Sequence, residues 1–312
     1  MNHHLIAFAL SQPWALRPEV MAAYAAVLAR RVAVKEGIAQ RPPRAMEDDD
    51  HEPSGPTTVM SKVGGGETRG GSIAVIPIRG TIVQRADQLG LCEGGTSTED
   101  ISQALRMAMA DSSVGQVLLH IHSPGGSVYG VQELGDEICE ARKEKPIVAF
   151  ASSLAASAAY WIGASASEFY VTPGGEVGSI GVWSAHQNIK GYLEKEGVDI
   201  KLISAGKFKV EGHPYDALSD EAMAFMQSRI DDYYAAFTSA VAKGRNVPVA
   251  QVRDGMGQGR VLGAKSALAE GMVDGIMTMD DIVRKMQRDA KSGRRSGRSA
   301  QANRNELELL SL

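Results

Sequence analysis

The chain has 312 residues, 44% hydrophobic and 22% charged, with a formal net charge of −4. These values fit a globular protein of one large domain with extensions, or of two modest ones. The slight acidity argues against a dedicated nucleic-acid binder, which would carry excess positive charge. The two cysteines, Cys92 and Cys139, stand far apart with no Cys-x-x-Cys spacing. That argues against a disulfide framework or a structural zinc site and predicts free thiols in a reducing compartment.

The N-terminal stretch MNHHLIAFALSQPWALRPEV holds a short apolar run, Leu5 to Leu10, with no Lys or Arg before it. The run is far below the ~18 residues of a membrane span, so the expectation is a soluble cytoplasmic protein with no membrane partner. Pro18 suits a first helical position and Glu19 the positive end of a helix dipole. Val20, Tyr24, Val27 and Leu28 follow near helical spacing, predicting a helix over 18–34 within an N-terminal arm, 1–34. Residues 35–72 are rich in Pro, Gly and charge and read as a flexible linker. Within it Asp48, Asp49 and Asp50 read as a solvated charge run, not as a metal site.

Order begins at Ile73. IAVIPIRGTI, GQVLLHIHSPGG, KPIVAFAS, EFYVT, VGSIGVWSA and DIKLISAG read as strands. STEDISQALRMAMAD reads as a helix capped by Ser97 or Thr98, and further helices fall on VYGVQELGDEICEARKE and NIKGYLEKEG. A long helix covers LSDEAMAFMQSRIDDYYAAFTSAVAKG, with Ala222, Met226, Ile230, Tyr233, Phe237 and Val241 as its apolar stripe. Strands alternating with helices predict an α/β domain over 73–287 with a mostly parallel sheet. Residues 288–312 are polar and basic before Leu307, Leu309, Leu310 and Leu312. They read as a solvated tail, or as a cleavage or docking peptide.

Three loops follow strands. In HSPGGSV, Gly125 and Gly126 let the backbone come close to another chain or present N–H groups to an anion; a tight strand-to-helix turn is the plainer reading. In ASSLAASAAYWIGAS, a helix starting near Ser157 would place that hydroxyl where developing negative charge is favoured. Ala155, Ala156, Ala158 and Ala159 would let it pack against the Gly-Gly loop, although close helix packing alone also explains such a segment. In SAGKFKVEGHP, Lys207 and Lys209 would share one face of an extended chain. A lysine acts as a general base only when burial keeps it neutral, and a solvated basic loop is the alternative.

Taken together, the strand–PGG step, SLAASAAYWIGASASEFYVTPGGEVGSIGV, ISAGKFK and GRVLGAKSALAEGMVDGI occur in an order that resembles the signal peptide peptidase A family of serine peptidases. The resemblance covers about residues 73–285. It implies a ClpP/crotonase-like repeated ββα spiral with a mostly parallel sheet. It implies Ser157 as nucleophile, Lys209 as general base, Ser179 orienting the lysine amine, and Gly125 and Gly126 at the oxyanion hole, with no metal or cofactor. The family commonly has Gly-Gly after the nucleophile; here Ala158 and Ala159 add two methyls.

Pro13, Trp14, Pro18 and Glu19 resemble the arm of the phage and prophage capsid-assembly, or head-maturation, branch. That branch implies protein substrates, namely scaffold and capsid-associated proteins and the chain's own tails. It also implies a homo-oligomer working in the host cytoplasm or inside a procapsid. Three other readings keep the fold: a soluble bacterial peptidase of general role, acyl-CoA chemistry, and an inactive shell protein. A fourth makes His186 the base, supported by Asp199 or Asp216. His120 and His122 share one strand face, as a metal pair or as packing residues.

Overall fold

Twice in succession the chain runs along a central strand and then steps into a second, smaller sheet. The computed structural model describes residues 13–16, 21, 61–63, 71–86 and 95–292. Strand β1 (Trp14–Leu16) and strand β2 (Ser61–Val63) precede the main run. Strand β3 (Ser72–Arg79) breaks at Gly80, whose φ of 64° turns the chain into β4 (Thr81–Val83). After β5 (Gly95–Ser97) and helix α1 (Thr98–Ala110), β6 (Val114–Ser123) steps through Pro124 into β7 (Gly125–Ser127), and α2 (Val131–Ala141) follows. The third pass, β8 (Ile147–Ala156), runs into α3 (Ala158–Ala164) at Ser157.

The large sheet has β3, β6 and β8 parallel at its centre, with β2 antiparallel at the edge beyond β3. Two short strands, β9 (Glu168–Val171) and β10 (Glu176–Gly178), lie parallel to successive halves of β8. The small sheet runs β1–β7–β4–β5, with β1 antiparallel. The expected α/β class with a mostly parallel sheet is what the chain forms.

Helices cover both faces of the large sheet, so its strands are apolar on both sides. Ala74, Ile76, Val117, Leu119, Ile147 and Ala149 pack under the first helices, while Ile73, Val75, Leu118, Val148 and Phe150 face the opposite way. That second face meets Ile282 and Met286 of the C-terminal helix, which is α8 (Met279–Ser292). Between β10 and α8 lie α4 (Lys190–Lys195), α5 (Asp220–Arg245), α6 (Val249–Asp254), β11 (Val261–Gly263), α7 (Ala264–Ala269) and β12 (Gly275–Ile276).

The small residues of α3 have a packing role. A Cβ on Gly244 of α5 would stand 2.1 Å from the Ala164 carbonyl oxygen, so α5 rests directly on the end of α3. Trp161 stacks on Phe237 of α5 with ring centroids 4.7 Å apart, and the Tyr160 hydroxyl donates to the Met272 carbonyl at 3.0 Å. The bulky pair thus pins a helix whose other residues are alanines, Ile162 and Gly163.

Of the two expected cap candidates Ser97 serves: its Oγ accepts from the Asp100 amide at 3.0 Å, and Ser219 Oγ likewise caps α5, accepting from the Ala222 amide at 3.1 Å. Of the expected stripe on α5, Ala222, Phe237 and Val241 are buried and Met226, Ile230 and Tyr233 half-buried.

Other expectations are corrected. Ser61–Val63, inside the predicted linker, pair with Ile73–Val75, and Trp14–Leu16, inside the predicted helical arm, pair with β7. DIKLISAG is not a strand. Its apolar residues meet no sheet edge, and Ile203 is 97% exposed. The strand expected over VGSIGVWSA ends at Gly178, because Gly178 and Ser179 both have positive φ. The predicted tail begins inside α8, which continues to Ser292. The arm helix apart from Met21, the Asp48–Asp50 run, Cys92 and residues 293–312 lie outside the described residues.

The C-terminal end of α5 is tied down by charge. Arg245 is 2% exposed at its side chain and meets both carboxylate oxygens of Asp274, at 2.8 and 3.1 Å. The same carboxylate accepts the Phe169 amide at 2.7 Å. Asp274→Ala would leave a buried guanidinium without its carboxylate, and urea denaturation is expected to show a loss of about 3–5 kcal/mol.

Burial, aided by the charges of Arg79 and His122, holds His120 below the usual imidazole range. As pH falls the unfolded chain therefore takes up this proton first. Stability from the neutral ring is complete above about pH 6.5 and declines below it. His120→Gln is expected to flatten the loss of unfolding free energy between about pH 7 and 5, measured by denaturation across that range.

Candidate active site

Ser157 sits where β8 turns into α3, with φ 57° and ψ −118°. A non-glycine residue held there costs about 1–3 kcal/mol and persists only when its surroundings impose it. They do so here from both ends. The Ser157 amide donates to Gly178 O at 2.7 Å, and the Ser157 carbonyl accepts from the Trp161 amide at 3.0 Å. The turn lifts the side chain out of the sheet, yet the residue is only 1% exposed.

The Gly-Gly step of β7 abuts this serine. Gly125 has φ 99°, and a Cβ there would stand 2.9 Å from Ser157 Cβ and 2.9 Å from the Ala156 carbonyl oxygen. A Cβ on Gly126 would stand 1.8 Å from the Ile82 carbonyl oxygen, inside the parallel β4–β7 pair. Both glycines are therefore required by backbone approach.

Their amides are not equivalent. The Gly125 N–H donates to Ser123 Oγ at 3.1 Å, and that hydroxyl in turn donates to Gly80 O at 2.6 Å. Gly126 faces the neighbouring β1 at Ala15. One donor position escaped the sequence reading: the Ala158 amide. It stands at the first position of α3, where no intrahelical acceptor exists. The signal for it was the serine-to-helix junction itself.

Of the remaining predicted residues, Ser179 directly follows Gly178, whose carbonyl accepts the Ser157 amide. Ser157 Oγ has Gly181 O at 3.5 Å as its hydrogen-bond acceptor, a separation at the outer limit of such a bond. Ser179 is half-buried at φ 55°, its amide donating to Arg260 O at 2.8 Å. Lys209 is exposed. Residues 207–212 form turns, so Lys207 and Lys209 do not present the single extended face expected of them. Lys207 pairs with Glu221 at 2.9 Å and lies over the Phe208 ring. Among the described residues, no hydrogen bond joins Lys209 to Ser157 or Ser179.

The alternative base is engaged elsewhere. A His186 ring nitrogen, Nε2, lies 3.0 Å from His213 O, and Asp216 pairs with Lys190 at 3.1 Å. Asp216 is held below the usual carboxylate range, first by the Ala217 amide and then by Lys190. Asp199 lies 3.8 Å from Lys201. His120 stacks on Phe150, and no cluster of three or more metal-ligating residues occurs among the described residues. No helix among them is long and apolar enough to cross a membrane.

Comparison with known proteins places this geometry in context. The profile of peptidase family S49 matches residues 140–292, which run from the end of α2 through Ser157 to the end of α8. The chain is 33% identical to the head-tail preconnector protein GP5 of Enterobacteria phage P21, over 94% of this chain and 59% of that protein. It is 36% identical to the capsid assembly protease C of Escherichia phage lambda, over 72% of this chain and 50% of that one. It is also 33% identical to protease 4 of Salmonella typhi, over 71% of this chain and 35% of that protein. The chain thus spans between about a third and three fifths of the length of these curated relatives. A ClpP1 mutant from Listeria monocytogenes aligns with 66% of this chain and 92% of its own, at a TM-score of 0.41 and 19% identity. The strained serine at a strand-to-helix turn therefore lies within a recognised sequence family, and the chain belongs to peptidase family S49.

Proposed function

We propose that this chain is a serine endopeptidase with Ser157 as nucleophile and Lys209 as general base. The observation that carries the reading is the buried Ser157 at positive φ, in a member of family S49, pressed against a Gly-Gly strand with no room for side chains. Neutral Lys209, oriented by Ser179, takes the Ser157 proton. Ser157 Oγ attacks a peptide carbonyl, and the oxyanion is held by backbone amides of the Gly125–Gly126 step and of Ala158. Because Ser123 already occupies the Gly125 amide, the donor of that pair is Gly126, once β1 is displaced from it. Losing one such donor typically costs about 3–4 kcal/mol of transition-state stabilisation. Lys209 then protonates the leaving amine, and water releases the acyl group.

A neutral lysine needs desolvation, and in the single chain Lys209 is exposed. Apolar residues of the same loop, Ile203 and Phe208, are exposed too, and Phe208 shares a concavity with exposed Phe225. A cluster of this kind marks an interaction surface. Assembly of copies into a homo-oligomer would cover it and bury the lysine against a serine. Resemblance to the capsid-assembly branch supports scaffold and capsid-associated proteins, including the chain's own tails, as substrates. Extended substrate adds as a strand beside β7, read through its backbone first.

The expected result for purified wild type is cleavage of casein or trimming of its own mass. Ser157→Ala and Lys209→Ala should stay full length and lose at least about a thousandfold in rate. Activity retained by Lys209→Ala and lost by His186→Ala would overturn the base assignment.

A further inference from the structure

β1 lies between two backbone edges. On one side it runs antiparallel to β7, with Trp14 opposite Ser127, Ala15 opposite Gly126 and Leu16 opposite Gly125. On the other, the Trp14 amide donates to Trp183 O at 2.8 Å and the Trp183 amide donates to Trp14 O at 3.0 Å. The Trp183 indole N–H also donates to Leu16 O at 2.7 Å. Strand backbone groups alternate sides, so the N–H and C=O of Ala15 face β7 at Gly126.

The position of that carbonyl matters. Ala15 O lies 2.3 Å, and Ser157 Cβ 2.9 Å, from the point where a Cβ on Gly125 would stand. A backbone carbonyl of the chain's own arm and the Ser157 side chain therefore both border the same point over Gly125. The side chains are accommodated as well, with Ala15 fully buried and Leu16 1% exposed. Before Trp14 the groove continues in a concavity lined by Pro13, Ser184, Phe208, Phe225 and Met226.

We infer that residues 14–16 are a tethered occupant of the substrate groove, holding it shut, and that they report its preference. That preference is a small residue opposite Gly126 followed by an aliphatic one. The identity of the competing ligand, an extended peptide substrate, rests on the peptidase reading; the occupancy does not. A segment attached to the same chain competes at an effective concentration of the order of millimolar, enough to exclude a free peptide of the same sequence at micromolar levels.

The test uses a fluorescein-labelled peptide, SQPWALRPEV, and the full chain as wild type, Ala15→Arg and Leu16→Asp. Both substitutions fall on the arm and leave the groove intact, and thermal melts check that each variant folds. Anisotropy titration is expected to show at least about tenfold tighter peptide binding by either variant than by wild type. A peptide carrying arginine at the alanine position should bind neither, and casein cleavage should rise several-fold in both variants. Equal binding of the first peptide by wild type and a folded variant would overturn the inference. Tighter binding by the variants with no casein cleavage by any protein would keep the arm in the groove and remove the peptidase reading. Casein cleaved equally by all three, with no gain in peptide binding, would keep the peptidase and remove the tethered occupant.

Discussion

The structure around Ser157 depends on one steric fact: no side-chain atom fits on the Gly125–Gly126 step. The Ile82 carbonyl stands where a Cβ on Gly126 would be, and Ser157 Cβ and Ala15 O crowd the corresponding point on Gly125. This contact joins the two sheets at the ends of their central strands. It lets β7 lie beside the turn that holds the serine. The strain at Ser157 is supported from the other side, by Gly178 O on its amide and by α3, which is fixed through Tyr160 and Trp161. Preorganised backbone donors beside a serine held out of the sheet are what acyl transfer requires of a fold.

Much of this was legible in the residues, and the reasons are local. The central strands read as strands because both faces are buried and their apolar runs are nearly continuous. The helix headed by Ser97 announced itself through a cap that forms as expected. Ser157 stood out through the small residues around it and the family-like motif order. What could not be read was set by non-local pairing. The three-residue strands at Trp14 and Ser61 have no periodicity long enough to register, and they exist because β7 and β3 offer edges. The reverse error fell on DIKLISAG, whose alternation suits a strand that no edge receives. Nor could spacing reveal that the Gly125 amide is already bound to Ser123 Oγ.

The single chain presents the serine half of the proposed dyad in place and the lysine half in solvent. The loop that carries Lys209 also carries exposed apolar residues, which are costly in water and useful at an interface. On the same side of the molecule the arm strand enters the groove past Trp183. In this account assembly would supply the base and displacement of the arm would open the site. Two separate events would then have to coincide before a peptide bond is cut.

The central claim is that Ser157 is a nucleophile served by backbone amides. The most direct measurement is intact-mass and peptide-map analysis of the Ala15→Arg protein after incubation with a peptide boronate ending in an alanine analogue. The account predicts one adduct per chain, mapped to Ser157 and absent from the Ser157→Ala, Ala15→Arg double variant. An adduct on another residue, or equal labelling of the double variant, would contradict it.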